Sequence, residues 1–313
     1  MKNRKKFTND VIISLIIRSA RESFLNTYNF IATFFGGTVV VFLMFNQNYG
    51  FPFWQSIFIG VVIYFFCFTI IFIKKAFVNF VKEYSRLNEF NVYGEAIKKL
   101  STAFSILHNL GRSQDPTFEE IIKSFEEFCT IVKQVYDEIT MSQNSVSIKI
   151  VLKPKATATN DHKVITLCRD IVNRNDREPK NGNIEHTITK NTCFHHFYIN
   201  IGRKRGKYYI NNDLLADTSY KNSSFEYYGK LPSTCNTVED KIEHWTLPYK
   251  SEIVAPIAPL NSSDPTKELI GFICVDNSEQ EPFLEKYDTH LLLGVTDGVY
   301  NLMKSFYDKG ILK

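Results

Sequence analysis

The sequence predicts an α+β protein in three parts: a two-helix transmembrane hairpin, a helical stalk, and an antiparallel sheet domain with helices. Three observations predict it. From Ser23 to Ile73 there is no Asp, Glu, Lys, Arg or His, and twelve of the 27 Phe residues fall between Phe30 and Phe72. Beyond that block, apolar residues recur at heptad spacing. From about Val146 the pattern changes to short alternating runs separated by turn residues. The chain of 313 residues is long enough for one or two domains of roughly 100–200 residues. It divides into 1–28, a basic and amphipathic segment; 29–75, the hairpin; 76–111, the stalk; and 112–313, the sheet domain.

Two apolar segments, 29–45 and 54–73, flank the polar connection NQNYGFPF. A bilayer core of about 30 Å needs about 17–25 helical residues, so each is long enough to span once. Tyr49 and Trp54 stand where aromatic residues meet headgroups. Lys2, Arg4, Lys5, Lys6, Arg18 and Arg21 precede the first segment; Lys74, Lys75, Lys82 and Arg86 follow the second. The positive-inside rule then places both termini in the cytoplasm, in a multi-pass inner-membrane protein with the lipid bilayer as a partner. The run 11–17 is too short for a signal-peptide core, and 9–24 is expected to lie on the inner leaflet as an amphipathic helix. Neither segment holds an ionisable group, so no proton relay or charged filter is indicated.

Phe90, Tyr93, Ile97, Leu100, Phe104 and Leu107 follow one another at intervals of three and four, as a heptad seam does. Phe77, Phe80, Tyr84 and Leu87 form a second seam nearer the hairpin. The expectation is a homo-oligomer assembled through helix 76–111, against the alternative that the helix packs on the sheet domain. It should stop at Gly111, and the next should open at Asp115-Pro116 as N-cap and first helical residue. That second helix carries Phe118, Ile121, Phe125, Phe128, Val132, Val135 and Ile139 on one face.

In the sheet domain, 146–152 and 163–170 read as strands, 191–199 as helix or strand, and 206–214 as a strand with a turn at each end. Segments 250–260 and 268–276 make a hairpin across the turn-forming NSSDPTK, and 283–307 a closing amphipathic helix. The run 268–276 is apolar throughout, as a strand covered on both faces would be.

These residues carry a resemblance. Ser251-Glu252-Ile253-Val254-Ala255-Pro256-Ile257, then Ile270-Gly271-Phe272-Ile273-Cys274-Val275-Asp276-Asn277, then Phe283, Asp288 and Leu291-Leu292 look like the C-terminal half of a GAF domain. Segment 208–214, YYINNDL, is similar to the strand that in this family ends in Asp. The resemblance covers about 116–308 and is strongest over 249–295. It implies a small-molecule ligand, with nucleotide second messengers such as cyclic nucleotides among the candidates, in a pocket between sheet and helices. It places Asn212, Asp213 and Ser251 near that pocket. Arg169 is added as an anion partner and Trp245 as an aromatic wall. Turn capping for Asn212 and Asp213, surface exposure for Arg169 and core packing for Trp245 are the competing readings.

The six cysteines include no C-x-x-C pair, and His195-His196 are adjacent, so they cannot both face one metal on a regular element. The basic run GRKRGK (202–207) reads as a solvated turn or an anion site. No phosphate-binding loop or nucleophile elbow is present. No catalytic residue, cofactor, metal or nucleic-acid polymer is therefore expected. The layout, similar to that of bacterial antiviral effectors with a transmembrane hairpin and a nucleotide-sensing domain, suggests a signal-gated membrane effector. A membrane-tethered sensor or scaffold that signals to a separate partner is the alternative.

Overall fold

The computed structural model describes residues 17, 19–21, 53–152, 162–177, 185–200, 207–229, 237–259 and 268–312. The chain forms two compact units, Met1–Asn91 and Val92–Lys313, and the boundary falls inside one long helix. That helix, α1, runs Phe53–Arg112 and ends one residue past Gly111.

The multi-pass membrane localisation is overturned. Among the described residues no helix is long and apolar enough to cross a membrane. The expectation rested on two separate spans. The first, 29–45, lies outside the described residues, as does nearly all of 1–28. The second is continuous with α1, whose side chains from Phe68 onward mix Ile70, Ile73 and Phe77 with Lys74, Lys75 and Lys82. The cytoplasmic orientation of the termini falls with it, and the bilayer partnership is left without support. In the first unit Phe77, Phe80 and Tyr84 face outward, and Asn79 donates to Ser19 Oγ over 3.0 Å.

In the second unit, the part of α1 beyond Asn91 packs inward. Ala96, Leu100, Ala103, Leu107 and Leu110 are buried in the main core. The Phe104 ring lies 5.5 Å from Phe128 and against Gly298, where an added Cβ would come within 2.5 Å of it. Tyr93 Oη donates to Asp288 over 2.9 Å. Leu100, Phe104 and Leu107 are thus taken up by packing within the chain, whereas Phe90 and Ile97 stay exposed. This stripe leaves the expected oligomer without support from those three residues.

Helix α2 (Phe118–Thr140) starts two residues later than Pro116 predicts, because a capping box fixes it. Thr117 Oγ1 accepts from Glu120 N, and Thr117 N donates to the Glu120 carboxylate. There follow β1 (Asn144–Leu152), β2 (Lys163–Arg169), α3 (Arg174–Arg177), β3 (Glu185–Thr187), a single 3₁₀ turn, and α4 (Thr192–Asn200). Segment 191–199, open between helix and strand in the sequence, is helical. Then come β4 (Tyr209–Asn211), α5 (Phe225–Tyr228), α6 (Val238–Glu243), β5 (Ser251–Ile257), β6 (Gly271–Asn277) and α7 (Glu285–Asp308). Strand β4 is shorter than 206–214 because Asn211 and Asp213 bend the chain: Asp213 N donates to Asn211 Oδ1, and Leu215 N and Ala216 N donate to Asp213 Oδ1.

The six strands form one antiparallel sheet in the order β3-β2-β1-β6-β5-β4. The predicted hairpin is β5–β6, in register from Ser251↔Asn277 to Ile257↔Gly271. Pro256 lies past the described β4 pairing, which ends at Val254, so its missing N–H faces no β4 partner there. Side chains alternate across the sheet with period two. Val146, Ile148, Ile150, Ile253, Ala255, Ile273 and Val275 join α2, α7 and the end of α1 in the main core. Val151, Val164, Val254 and Phe272 belong to a second core with Cys193, Phe194 and Phe197 of α4.

Candidate functional site

On the α4 side the sheet is apolar at one end and polar at the other. Strand β1 is the reason: Val146, Ile148 and Ile150 take the main-core side, which leaves Ser145, Ser147 and Lys149 on the other. A cavity sits over this polar end. Its walls include Lys149, Arg169, His186, Glu252, Cys274 and Asp276. Water centres can occupy about 40 Å³ of it, room for about three waters at roughly 10–15 Å³ each.

Two cations form one end. Lys149 Nζ donates to Thr166 Oγ1 over 3.0 Å and lies 3.1 Å from His186 Nε2. Burial, reinforced by the neighbouring positive charge of Arg169, holds the imidazole well below the usual histidine range. His186 is therefore neutral, with Nε2 accepting from Lys149 and Nδ1–H donating to Ser223 Oγ at 2.8 Å. Asn191 fixes that serine by accepting from Ser223 N over 3.0 Å. Burial likewise pushes the Lys149 ammonium down, with Arg169 adding to it while Cys274 and Asp276 oppose it.

Arg169 is 7% exposed. Its Nη1 donates to Ser145 Oγ over 2.7 Å and stands 3.6 Å from Asp276 Oδ2. Ser145 in turn donates to Asp170 Oδ2, so the serine hydroxyl bridges cation and anion. The Nε–H of Arg169 is buried with no hydrogen-bond partner among the described residues. Glu252, 3% exposed, repeats this on β5: its Oε1 is buried and unpartnered among the described residues. Burial first, then neighbouring Asp276, push its carboxyl up to about 8. Glu252 is thus a neutral carboxylic acid at pH 7. Burial raises the Cys193 and Cys274 thiols, so neither is an activated thiolate.

Of the five residues expected at a site, Arg169 alone lines this cavity. Asn212 ties β4 to the approach of α7: its Nδ2 donates to Phe283 O over 2.8 Å, and its Oδ1 accepts from Phe283 N. Asp213 caps the turn after β4. Ser251 is buried and donates to Glu279 O over 2.8 Å. Trp245 packs with Leu214, Tyr220, Phe225, Leu247 and Tyr249 in a separate small core and donates to Tyr249 O. Sequence reasoning missed Lys149, His186, Glu252 and Asp276. The signal for Lys149 was its place in VSIKIVL, out of phase with the apolar positions; for Glu252, its place beside Ser251, where one residue reverses the face. Among the described residues no group of three His, Cys, Asp or Glu side chains could hold a metal.

No known family matches the chain, and no curated protein matches it. Solved structures share a partial likeness. One is a type II free methionine-R-sulfoxide reductase from Thermoplasma acidophilum, 15% identical over 60% of this chain and 96% of that one, with a TM-score of 0.37. Another is the GAF domain of an Acinetobacter phosphoenolpyruvate-protein phosphotransferase, 10% identical over 68% of this chain and 97% of that one, TM-score 0.38. A third is a bacteriophytochrome from R. palustris, 12% identical over 69% of this chain and 39% of that one, TM-score 0.38. At these scores the likenesses assign neither family nor chemistry, and the functional reading rests on the cavity.

Proposed function

We propose that the 92–313 unit is a small-molecule-binding sensor module whose ligand occupies the polar cavity between β1, β2, β5, β6 and the α4 side. One observation carries this reading: Arg169 Nε and Glu252 Oε1, in side chains more than nine-tenths buried on the wall of one cavity, both lack partners among the described residues. A buried polar group left unsatisfied costs about 1–3 kcal/mol, and more when charged. A ligand with an acceptor for Arg169 and a polar group for Glu252 removes both penalties at once. The resemblance of 251–257 and 270–277 to GAF strands supports a sensor role. The space, about 40 Å³ for water centres, suits a ligand of few heavy atoms rather than a drug-sized one, for which pockets run to about 300–1,000 Å³.

The test is a thermal-shift panel of small polar molecules, with carboxylates, amides and amines in separate groups. At least one carboxylate or amide should raise the melting temperature of the native chain and leave that of Arg169→Gln unmoved. A panel whose hits act equally on both proteins would refute the assignment.

A further inference from the structure

The least explained side chain of the cavity is Lys149. It is 8% exposed, and its hydrogen-bond partners, Thr166 Oγ1 and His186 Nε2, are both neutral. Among the described residues these two groups are the hydrogen-bond partners of its Nζ. Asp276, on the same cavity wall, already stands 3.6 Å from Arg169. A buried lysine is ordinarily retained by a carboxylate; this one is set beside a guanidinium instead.

That environment suits the free amine. A neutral Nζ has two hydrogens and one lone pair. Thr166 Oγ1 and His186 Nε2 take the two hydrogens, which leaves the lone pair uncommitted. The geometry offers Nζ two acceptors where an ammonium has three N–H groups to satisfy, and burial with the neighbouring guanidinium lowers its affinity for the third proton against the opposing pull of Cys274, Asp276 and Cys193. Desolvated lysines of this kind attack carbonyl carbon. Beside it, the unpartnered Arg169 Nε–H calls for an anionic acceptor, and the space holds only about three waters' worth of ligand.

We propose that Lys149 captures a small 2-oxo acid as a reversible Schiff base, while Arg169 holds the ligand's carboxylate. This rests on the cavity being the binding site, as argued above. Nζ adds to the C2 carbonyl carbon, and one amine proton passes to the carbonyl oxygen to give the carbinolamine. The C–O bond then breaks, the second amine proton leaves with the oxygen as water, and a C=N bond remains. No oxidant or reductant takes part, and hydrolysis reverses the step. Gly271 holds the frame for this chemistry: an added Cβ would come within 2.0 Å of the Lys149 carbonyl, so only glycine lets β6 pair closely where Lys149 is anchored.

The test uses the full chain with pyruvate or glyoxylate as probe and cyanoborohydride as trap, read by intact mass and peptide mapping. One principal reduced adduct is expected, on the peptide that contains Lys149 of the native protein. It should be lost in Lys149→Arg and weakened in Arg169→Gln. With propanal, which has no carboxylate, Arg169→Gln should make no difference. Labelling spread over the other lysines, with no preference for Lys149 in the native chain, overturns the proposal whether or not the variants fold. If pyruvate raises the native melting temperature through Arg169 but leaves no adduct on Lys149, covalent capture is wrong and the cavity remains a binding site. If the 2-oxo acids neither bind nor react, while other polar molecules act through Arg169, the ligand class is wrong. Failure of every molecule in the panel removes the cavity reading itself.

Discussion

Replacing Glu252 with Gln isolates the consequence of burying a carboxyl group beside Asp276. The folded-state value is pushed from 4.5 to about 8, chiefly by burial. Each pKa unit is worth about 1.4 kcal/mol, so the full shift corresponds to about 5 kcal/mol. The sign follows from proton counting. Below pH 4.5 the group is protonated in both states and contributes no difference. Between 4.5 and about 8 the unfolded chain loses the proton and the folded chain keeps it, so stability falls as pH rises; above about 8 the loss is complete. Glutamine has the same shape and does not titrate. Urea melts of both proteins from pH 4 to 9 should converge at the acid end, with the variant ahead by a few kcal/mol at the alkaline end. His186, held neutral in the fold, contributes stability that is lost as pH falls below its ordinary 6.5. That contribution is common to both proteins and cancels in the difference. Parallel stability curves across the whole range would show that Glu252 is not buried as described.

Three further substitutions probe the frame. Thr117→Ala removes the side-chain half of the capping box and should cost about 1 kcal/mol in a denaturant melt, with ligand binding unchanged. Gly271→Ala places a methyl group on the Lys149 carbonyl and should abolish amide-exchange protection over 144–152, the segment that pairs with β6. Asn212→Ala breaks both side-chain bonds to Phe283 and should lower stability by about 1–3 kcal/mol, while any cavity ligand binds as before, because Asn212 ties β4 to the α7 approach rather than walling the cavity.

The parts of the fold that were legible in the sequence are those whose signal is local. The β5–β6 hairpin, the closing helix and the apolar stripe of α2 are written in alternation and helical spacing, and they form where expected. The 90–107 seam was read in the right period, and its Leu100, Phe104 and Leu107 are covered within the chain, which leaves the expected oligomer without support from them. A heptad pattern says that a face is covered, not whether the cover is a second chain or α2 and α7 of the same one. The charge-free, Phe-rich length and its basic flanks carried the transmembrane reading, and the described helix carries its apolar residues on into a lysine-bearing stretch instead. The cavity was least legible, because its members come from β1, β2, the β3 edge, β5 and β6, and only strand order brings them together. Arg169 was found as a lone cation at a strand end. Lys149 and Glu252 were hidden because each sits inside a strand that looked purely structural. Ser251 was chosen where its neighbour Glu252 lines the cavity.

The central claim is that Arg169 and Glu252 wait for a ligand in one cavity. Calorimetric titration of the best small carboxylate or amide against the native chain, Arg169→Gln and Asn212→Ala tests it most directly. The account predicts an affinity loss of about tenfold or more in Arg169→Gln, the equivalent of at least one buried hydrogen bond at about 1.4 kcal/mol per tenfold, and no change in Asn212→Ala. Equal affinity in Arg169→Gln and the native chain, or a loss confined to Asn212→Ala, would contradict it.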